Sequence, residues 1–178
     1  MRIDRIELHH TKMELVSPFT TSMGTEYEEE HIIIRVDSDG IIGWGESVAE
    51  GTPFYSYETV QTAWHILQDF LIPAILGKDI ASVDEAIELN SRVRGHMMAK
   101  AGLEAALWDA FAKSKNISLS KMLVGTRKKI DVGVSIGIQS SPSELIKKVE
   151  AYLAEGYKRI KIIIVLRISI SNKPIEAI

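Results

Sequence analysis

The C-terminal part of the chain carries the pattern that most restricts its fold: an apolar strand, a capped helix and a second apolar strand. The first apolar run covers residues 130–138, and Ser141-Pro-Ser-Glu144 is a capping box with proline at the first helical position. The helix ends at Gly156, and residues 160–166 form the second run. Parallel strands need a crossover connection of about a dozen residues or more, usually a helix, and the helix between these two runs provides one. The pattern therefore predicts a βαβ unit of a parallel sheet.

The first 50 residues instead indicate antiparallel β structure. An opening strand alternates around residues 4–10, and two β-rich runs, 31–36 and 41–46, flank a turn that ends in Asp39-Gly40. Two such runs around an Asp-Gly turn predict a hairpin. The polar, glycine-containing segment 17–25 predicts a loop between the opening strand and that hairpin.

Three amphipathic helices are predicted in the middle of the chain, from apolar residues at helical spacing. The first begins near Ser56. The second begins at the capping box 82–85 and continues to Val93. The third covers residues 98–113, and Asn116 follows as a candidate C-terminal cap.

Composition excludes several classes of function. The 178 residues are 46% hydrophobic and 25% charged, as in ordinary globular proteins, and they include no cysteine, which excludes thiol nucleophiles, disulfides and thiolate metal sites. A net charge of −3 provides no basic surface for nucleic acid or an anionic membrane. No apolar run approaches the ~20 residues of a membrane span, and the N-terminus has no signal-peptide core. We therefore expect a soluble, cytoplasmic protein.

Five short strings, in this order and spacing, resemble the enolase superfamily. They are 18–22 (PFTTS), 43–49 (GWGESVA), 98–109 (MAKAGLEAALWD), 132–138 (VGVSIGI) and 156–161 (GYKRIK). The branch they resemble is that of the o-succinylbenzoate synthases, including those that also racemise N-acylamino acids. The resemblance covers residues 1–162 and implies an α+β capping domain over residues 1–125. It further implies the first, incomplete part of a β/α (TIM-like) barrel over residues 126–178.

The same resemblance implies a chemistry. Members remove a proton next to a carboxylate of a small substrate and hold the resulting enediolate on Mg²⁺. A divalent cation suits this reaction because the proton is very weakly acidic and the developing charge must be stabilised.

Four residues are candidates for the site, each with a simpler structural interpretation. Lys161 matches the first lysine of the family's Lys-x-Lys pair and would face the substrate, although it could also be a lysine at an exposed strand edge. Ser135 matches a pocket serine of the first barrel strand, or it is a small residue that packs tightly. Phe19 and Met23 lie on the segment that closes over the site in the family, or they anchor that segment themselves.

The sequence departs from the family at the position of the general base. The second lysine of the pair should fall at 163, where this chain has Ile163, and the family pattern is lost from there to Ile178. The carboxylate metal ligands and the opposing lysine come later in the family order, so no metal ligand is assigned and we expect no Mg²⁺ site and no turnover. We also expect the unpaired edge at residues 160–166 to self-associate, giving a homo-oligomer.

Two alternative functions stay open. The first keeps the superfamily and changes the substrate, as in a dipeptide epimerase or a muconate cycloisomerase. The second is a non-catalytic, truncated or frameshifted remnant whose residues 1–125 fold as a capping domain.

Overall fold

A computed structural model describes residues 1–164 and divides the chain into two compact units. The capping unit comprises Met1–Val16 and Tyr27–Lys129, and the barrel unit comprises Ser17–Glu26 and the residues from Ile130 onward. The segment Ser17–Glu26, which we call the hairpin tip, therefore groups with the barrel strands rather than with the strands that carry it. Turn and strand signals did not indicate this grouping, and only the family resemblance, in which this segment closes over the site, pointed to it.

Three strands in the order β1-β2-β3 form the N-terminal sheet. They are β1 (Arg5–Thr21), β2 (Gly24–Ser38) and β3 (Ile41–Ser47). Strands β2 and β3 are antiparallel, from Ile32 opposite Ser47 to Ser38 opposite Ile41. The turn residues Asp39 and Gly40 both have positive φ, which a tight type I′ turn requires. The predicted hairpin is confirmed.

The predicted loop at residues 17–25 was wrong. Strand β1 continues to Thr21 and β2 begins at Gly24, so only a two-residue turn separates them. The hydroxyls of Thr20 and Thr25 lie 2.9 Å apart across the hairpin. Threonine is β-branched and pairs well across strands, and this preference prevailed over the polarity that suggested a loop.

The first predicted helix begins later than expected. Thr59, and not Ser56, is its N-cap, because Thr59 and Thr62 accept each other's backbone N–H in a capping box. Helix α1 (Val60–Ile66) continues through a π-helical turn (Leu67–Leu71) into α2 (Ile72–Ile75). Pro73 lies in that last segment and has no backbone N–H to donate. The regular α-helical hydrogen bonds are therefore interrupted in front of it, where the π-helical turn occurs.

The remaining helices of the capping unit are α3 (Val83–Leu89), α4 (Met97–Ser114) and α5 (Leu119–Met122). Ser82 caps α3 as predicted, but the helix ends at Leu89 and does not reach Val93. Asn116 follows α4 with φ of 52°, as a left-handed C-terminal cap should. Within residues 1–164, no helix is long and apolar enough to cross a membrane.

Helix α4 packs closely on β3 because glycines face each other at the contact. A Cβ atom on Gly43 would lie 2.2 Å from the carbonyl oxygen of Ala106, and one on Gly45 would lie 2.1 Å from that of Gly102. The core beside this contact is made of fully buried side chains from the sheet and the helices. They include Ile32, Ile34, Val36, Leu67, Leu71, Leu103 and Leu107.

The barrel unit contains the predicted βαβ unit: β4 (Gly133–Ile136), α6 (Pro142–Ala154) and β5 (Arg159–Ile162). The strands are parallel, and Ser141 caps the helix as predicted. Both strands are shorter than their apolar runs. Ile130 and Val132 precede β4 and are mostly exposed, so hydrophobicity there does not mark sheet pairing. Positions 165 and 166 of the second predicted strand lie outside the described residues.

Candidate functional site

The two barrel strands present one apolar face and one small, polar face. Side chains alternate along a strand, so Val134, Ile136, Ile160 and Ile162 share one face. Gly133, Ser135, Arg159 and Lys161 share the other. Helix α6 packs against β4, and an apolar face is the one that gains by burial against a helix. The polar face is therefore available for a site.

Ser135 and Lys161 are direct partners in the parallel register, so their side chains project side by side from the polar face. Both residues are exposed. The structure thus brings together two residues that lie 26 positions apart in the sequence. A hydroxyl beside an ammonium group is a suitable pair of donors for a carboxylate.

Position 163 continues this face beyond the end of β5. The Ile163 N–H donates to the carbonyl oxygen of Ile136 at 3.0 Å, so the pairing of the two strands persists to that point. Because alternate residues point the same way, position 163 lies on the same face as Lys161. The residue at the position expected for a general base is an isoleucine, which can neither accept nor donate a proton.

The hairpin tip contacts the carboxyl end of β4. The carbonyl oxygen of Thr20 accepts a hydrogen bond from the Ile138 N–H at 2.8 Å. Phe19 is half-buried, and its ring lies 3.3 Å from the position that a Cβ atom on Gly137 would take. Met23 is at the turn of the hairpin with 55% of its surface exposed, and its N–H donates to the Thr21 hydroxyl at 3.1 Å. Phe19 is thus placed beside the strand that carries Ser135.

The residues present do not provide a magnesium centre. Among residues 1–164, no group of three or more histidine or carboxylate side chains is arranged to hold a metal ion. Mg²⁺ binds through fixed oxygen ligands, usually including one or two carboxylates. The polar face of β4 and β5 offers only a hydroxyl and cationic side chains, so this donor set does not fit the cation.

Two carboxylates that could be mistaken for catalytic groups are structural. Glu58 is 2% exposed and accepts hydrogen bonds from the N–H groups of Met98 and Ala99, at 3.0 to 3.1 Å. Asp109 accepts from the Trp44 N–H at 2.9 Å and from Lys113 Nζ at 2.6 Å, which ties α4 to β3. The role of Glu58 was missed because its partners lie 40 residues away. The distance in sequence leaves no local signal.

Ion pairs on the N-terminal sheet raise the pKa of two basic side chains. A hydrogen bond to Glu28 raises the pKa of Lys12, and a hydrogen bond to Asp37 raises the pKa of Arg35. These pairs join side chains on or across strands β1 and β2 and hold cations in their charged form. They contribute to the surface of the sheet and not to the polar face of β4 and β5.

An α+β capping unit followed by the start of a parallel β/α series is the architecture of the enolase superfamily. Residues 5–125 match the family described as "Mandelate racemase / muconate lactonizing enzyme, N-terminal domain". The chain belongs to this family, and the resemblance drawn from the five sequence strings is confirmed.

The chain is similar to relatives that are named for different activities. The chain is 48% identical over 163 residues to an o-succinylbenzoate synthase of Geobacillus stearothermophilus, a match that covers 91% of this chain and 44% of that protein. It is 38% identical over 162 residues to an N-succinylamino acid racemase of Thermus thermophilus, with the same two coverages. The chain thus spans less than half the length of the curated relatives that it matches.

Solved structures agree with the fold. An enolase superfamily member from Listeria innocua superposes with a TM-score of 0.88 at 38% identity, covering 93% of this chain and 45% of that one. The L-Ala-D/L-Glu epimerase of Bacillus subtilis superposes with a TM-score of 0.84 at 31% identity, covering 92% and 45%. The predicted fold class, a capping domain followed by the first part of a β/α barrel, is confirmed.

Proposed function

We propose that this chain builds the capping domain and the first β/α unit of an active site of the o-succinylbenzoate synthase type. The reaction removes a proton next to a carboxylate, and water then leaves from the neighbouring carbon. The pairing of Ser135 with Lys161 on the polar face of β4 and β5 is the observation that carries the proposal. Active sites of β/α barrels lie at the carboxyl ends of the strands, and the hairpin tip contacts that end of β4.

Each proposed residue has a defined role. The ammonium group of Lys161 stabilises the negative charge that develops on the substrate carboxylate as the proton leaves. The Ser135 hydroxyl donates a hydrogen bond to the same carboxylate and orients it. Phe19 and Met23, on the hairpin tip, contact the apolar part of the substrate and exclude water. The substrate is a small carboxylate, and we expect the protein to act in the cytoplasm.

Two requirements of the reaction are not met by the described residues. Ile163 stands where the family has its general base, and no carboxylate cluster fits the Mg²⁺ on which the family depends. We therefore derive no step through a metal. Turnover requires both a base and metal ligands. The later β/α units of full-length relatives would supply the metal ligands, whereas the base belongs at position 163 of this chain.

A second candidate function rests on Ile163. If no other residue takes over the role of the base that is missing at position 163, the chain is a folded capping domain with an incomplete pocket and no catalytic activity. The racemase and epimerase relatives define a third outcome, because they share the removal of the proton but return a proton to the same carbon instead of losing water. A single chimeric protein separates these outcomes.

The chimera joins residues 1–164 of this chain to the remaining barrel of the Geobacillus stearothermophilus relative. We expect the chimera to convert the synthase substrate slowly and the chimera with Ile163→Lys to convert it about 10²–10⁴-fold faster, the usual contribution of a general base. Product formation is followed by absorbance, with Ile164→Lys as the matched control on the neighbouring position.

Three results decide between the candidates. A gain in product with Ile163→Lys and none with Ile164→Lys supports the synthase proposal. Racemisation of an N-acylamino acid without loss of water supports the racemase or epimerase class. A folded chimera in which Ile163→Lys gives no product and no racemisation contradicts the catalytic proposal and leaves the non-catalytic candidate.

A further inference from the structure

Gly137 comes directly after strand β4 and is closely covered by the hairpin tip. A Cβ atom at this position would lie 2.9 Å from the carbonyl oxygen of Thr20, 3.0 Å from its backbone nitrogen and 3.3 Å from the Phe19 ring. Two of these three atoms belong to the backbone and cannot turn aside as the end of a flexible side chain can. No side chain fits at position 137 unless the tip moves.

A hydrogen bond marks the same contact. The neighbouring Ile138 N–H donates to the carbonyl oxygen of Thr20 at 2.8 Å. Two consecutive residues at the end of the strand thus contact Thr20: Gly137 leaves room for its backbone, and Ile138 donates a hydrogen bond to its carbonyl oxygen. We call the group of Thr20, Gly137 and Ile138 the tip contact.

We propose that Gly137 is a positioning residue that seats the hairpin tip on the carboxyl end of β4. Its position two residues after Ser135 places it in line with the polar face that also carries Lys161. The tip contact therefore fixes Phe19 beside that face. The seat exists in the free chain, because it is made by backbone atoms of the chain itself.

The consequence for the site rests on the proposed function. A tip that is already seated covers the carboxyl end of β4 without drawing on the binding energy of a substrate. A side chain at position 137 would hold the tip, and with it Phe19, away from the carboxyl end of β4. Gly137 thus acts by letting Phe19 lie at the end of β4, and it does not contact the substrate itself.

The experiment measures where the tip lies. The chain has no cysteine, so Ser22→Cys and Lys148→Cys, both at exposed positions, introduce the only two thiols for spin labels. Electron–electron double resonance then gives the distances between the tip and helix α6. We expect one narrow distribution in the labelled chain, and a broader distribution with a longer component after Gly137→Ala.

Gly51→Ala is the matched control. A Cβ atom at Gly51 would lie 3.4 Å from the Glu30 carboxylate, an ordinary contact outside the barrel unit, so this variant should keep the narrow distribution. Hydrogen exchange adds a second readout. The Ile138 amide should be protected in the unaltered chain and should exchange about tenfold faster or more after Gly137→Ala, as expected when one hydrogen bond opens.

Amides in the middle of helix α4 report on general unfolding and should keep their exchange rates in Gly137→Ala. A broad distribution or an unprotected Ile138 amide in the unaltered chain would overturn the proposal, and both are measured without any substitution at Gly137. An unchanged distance and exchange rate in Gly137→Ala would overturn it as well. Neither measurement involves a substrate or turnover, so the proposal fails or holds independently of the proposed function.

Discussion

The carboxylate of Glu58 replaces a capping side chain that helix α4 lacks. His96 is the N-cap residue of that helix, in a left-handed conformation, and its side chain makes no capping hydrogen bond. Two free N–H groups of its first turn, those of Met98 and Ala99, donate instead to Glu58. A negative charge is favoured at a helix N-terminus, so this buried carboxylate stabilises the helix by both charge and hydrogen bonding.

Glu58→Gln should lower the free energy of unfolding by about 1–3 kcal/mol, because the amide keeps one acceptor and loses the charge. Urea denaturation followed by circular dichroism measures the change. Glu88→Gln, at an exposed position on α3, is the control and should change the free energy by less than about 0.5 kcal/mol. Equal stability of the two variants would show that Glu58 does not hold the helix end.

Residues differ in how far the sequence could predict their roles. Ser82 and Ser141 were predicted as helix caps because each cap bonds to a residue only three positions away. Glu58 was not predicted, since its partners come from another part of the chain. Lys161 and Ser135 were named from a family resemblance, and only the strand register shows that they are neighbours.

At the scale of elements, the contact between α4 and β3 depends on the lack of side chains. A Cβ atom on Gly45 would lie 2.5 Å from the Ala106 nitrogen as well as 2.1 Å from the Gly102 carbonyl oxygen. Real Cβ atoms do not approach backbone this closely, and α4 belongs to the core with its own buried residues. Helix and strand would therefore have to separate.

Gly45→Ala should cost about 1–3 kcal/mol or more, the usual range for overpacking a well-packed contact. Thermal and urea unfolding give the value, and Gly51→Ala is the control because its added methyl meets only the end of a carboxylate side chain. A Gly45→Ala variant as stable as Gly51→Ala would mean that α4 and β3 do not pack as closely as described.

The elements themselves were largely predictable where local signals decide them. The βαβ unit, the hairpin at Asp39-Gly40 and the third helix were predicted from caps, turns and periodicity. The end of α3 and the hairpin tip were not predictable in this way. At the tip, cross-strand pairing of threonines prevails over polar composition, and that pairing becomes visible only when the two strands are aligned.

At the scale of the whole molecule, the chain combines a capping domain of the mandelate racemase and muconate lactonizing enzyme family with the first strands of a β/α barrel. The order of these parts was predictable, because five ordered sequence strings carry the family resemblance. The chemistry was less predictable from the sequence. The position after β5 that should hold a base carries Ile163, and the described residues offer no metal ligands in a cluster.

Exchange of the substrate's α-hydrogen tests most directly whether the polar face of β4 and β5 faces the reacting carbon. The chimera with Ile163→Lys is incubated in D₂O with an N-acylamino acid, which exchanges its α-hydrogen without losing water, and loss of the α-hydrogen signal is followed by proton NMR. We expect steady exchange, which adding Lys161→Met slows by about 10² or more, because stabilisation of the developing charge is lost. Adding Arg159→Met, on the same face nearer the start of β5, should have little effect. Exchange that is equally fast with and without Lys161 would contradict the assignment of this face as the active site.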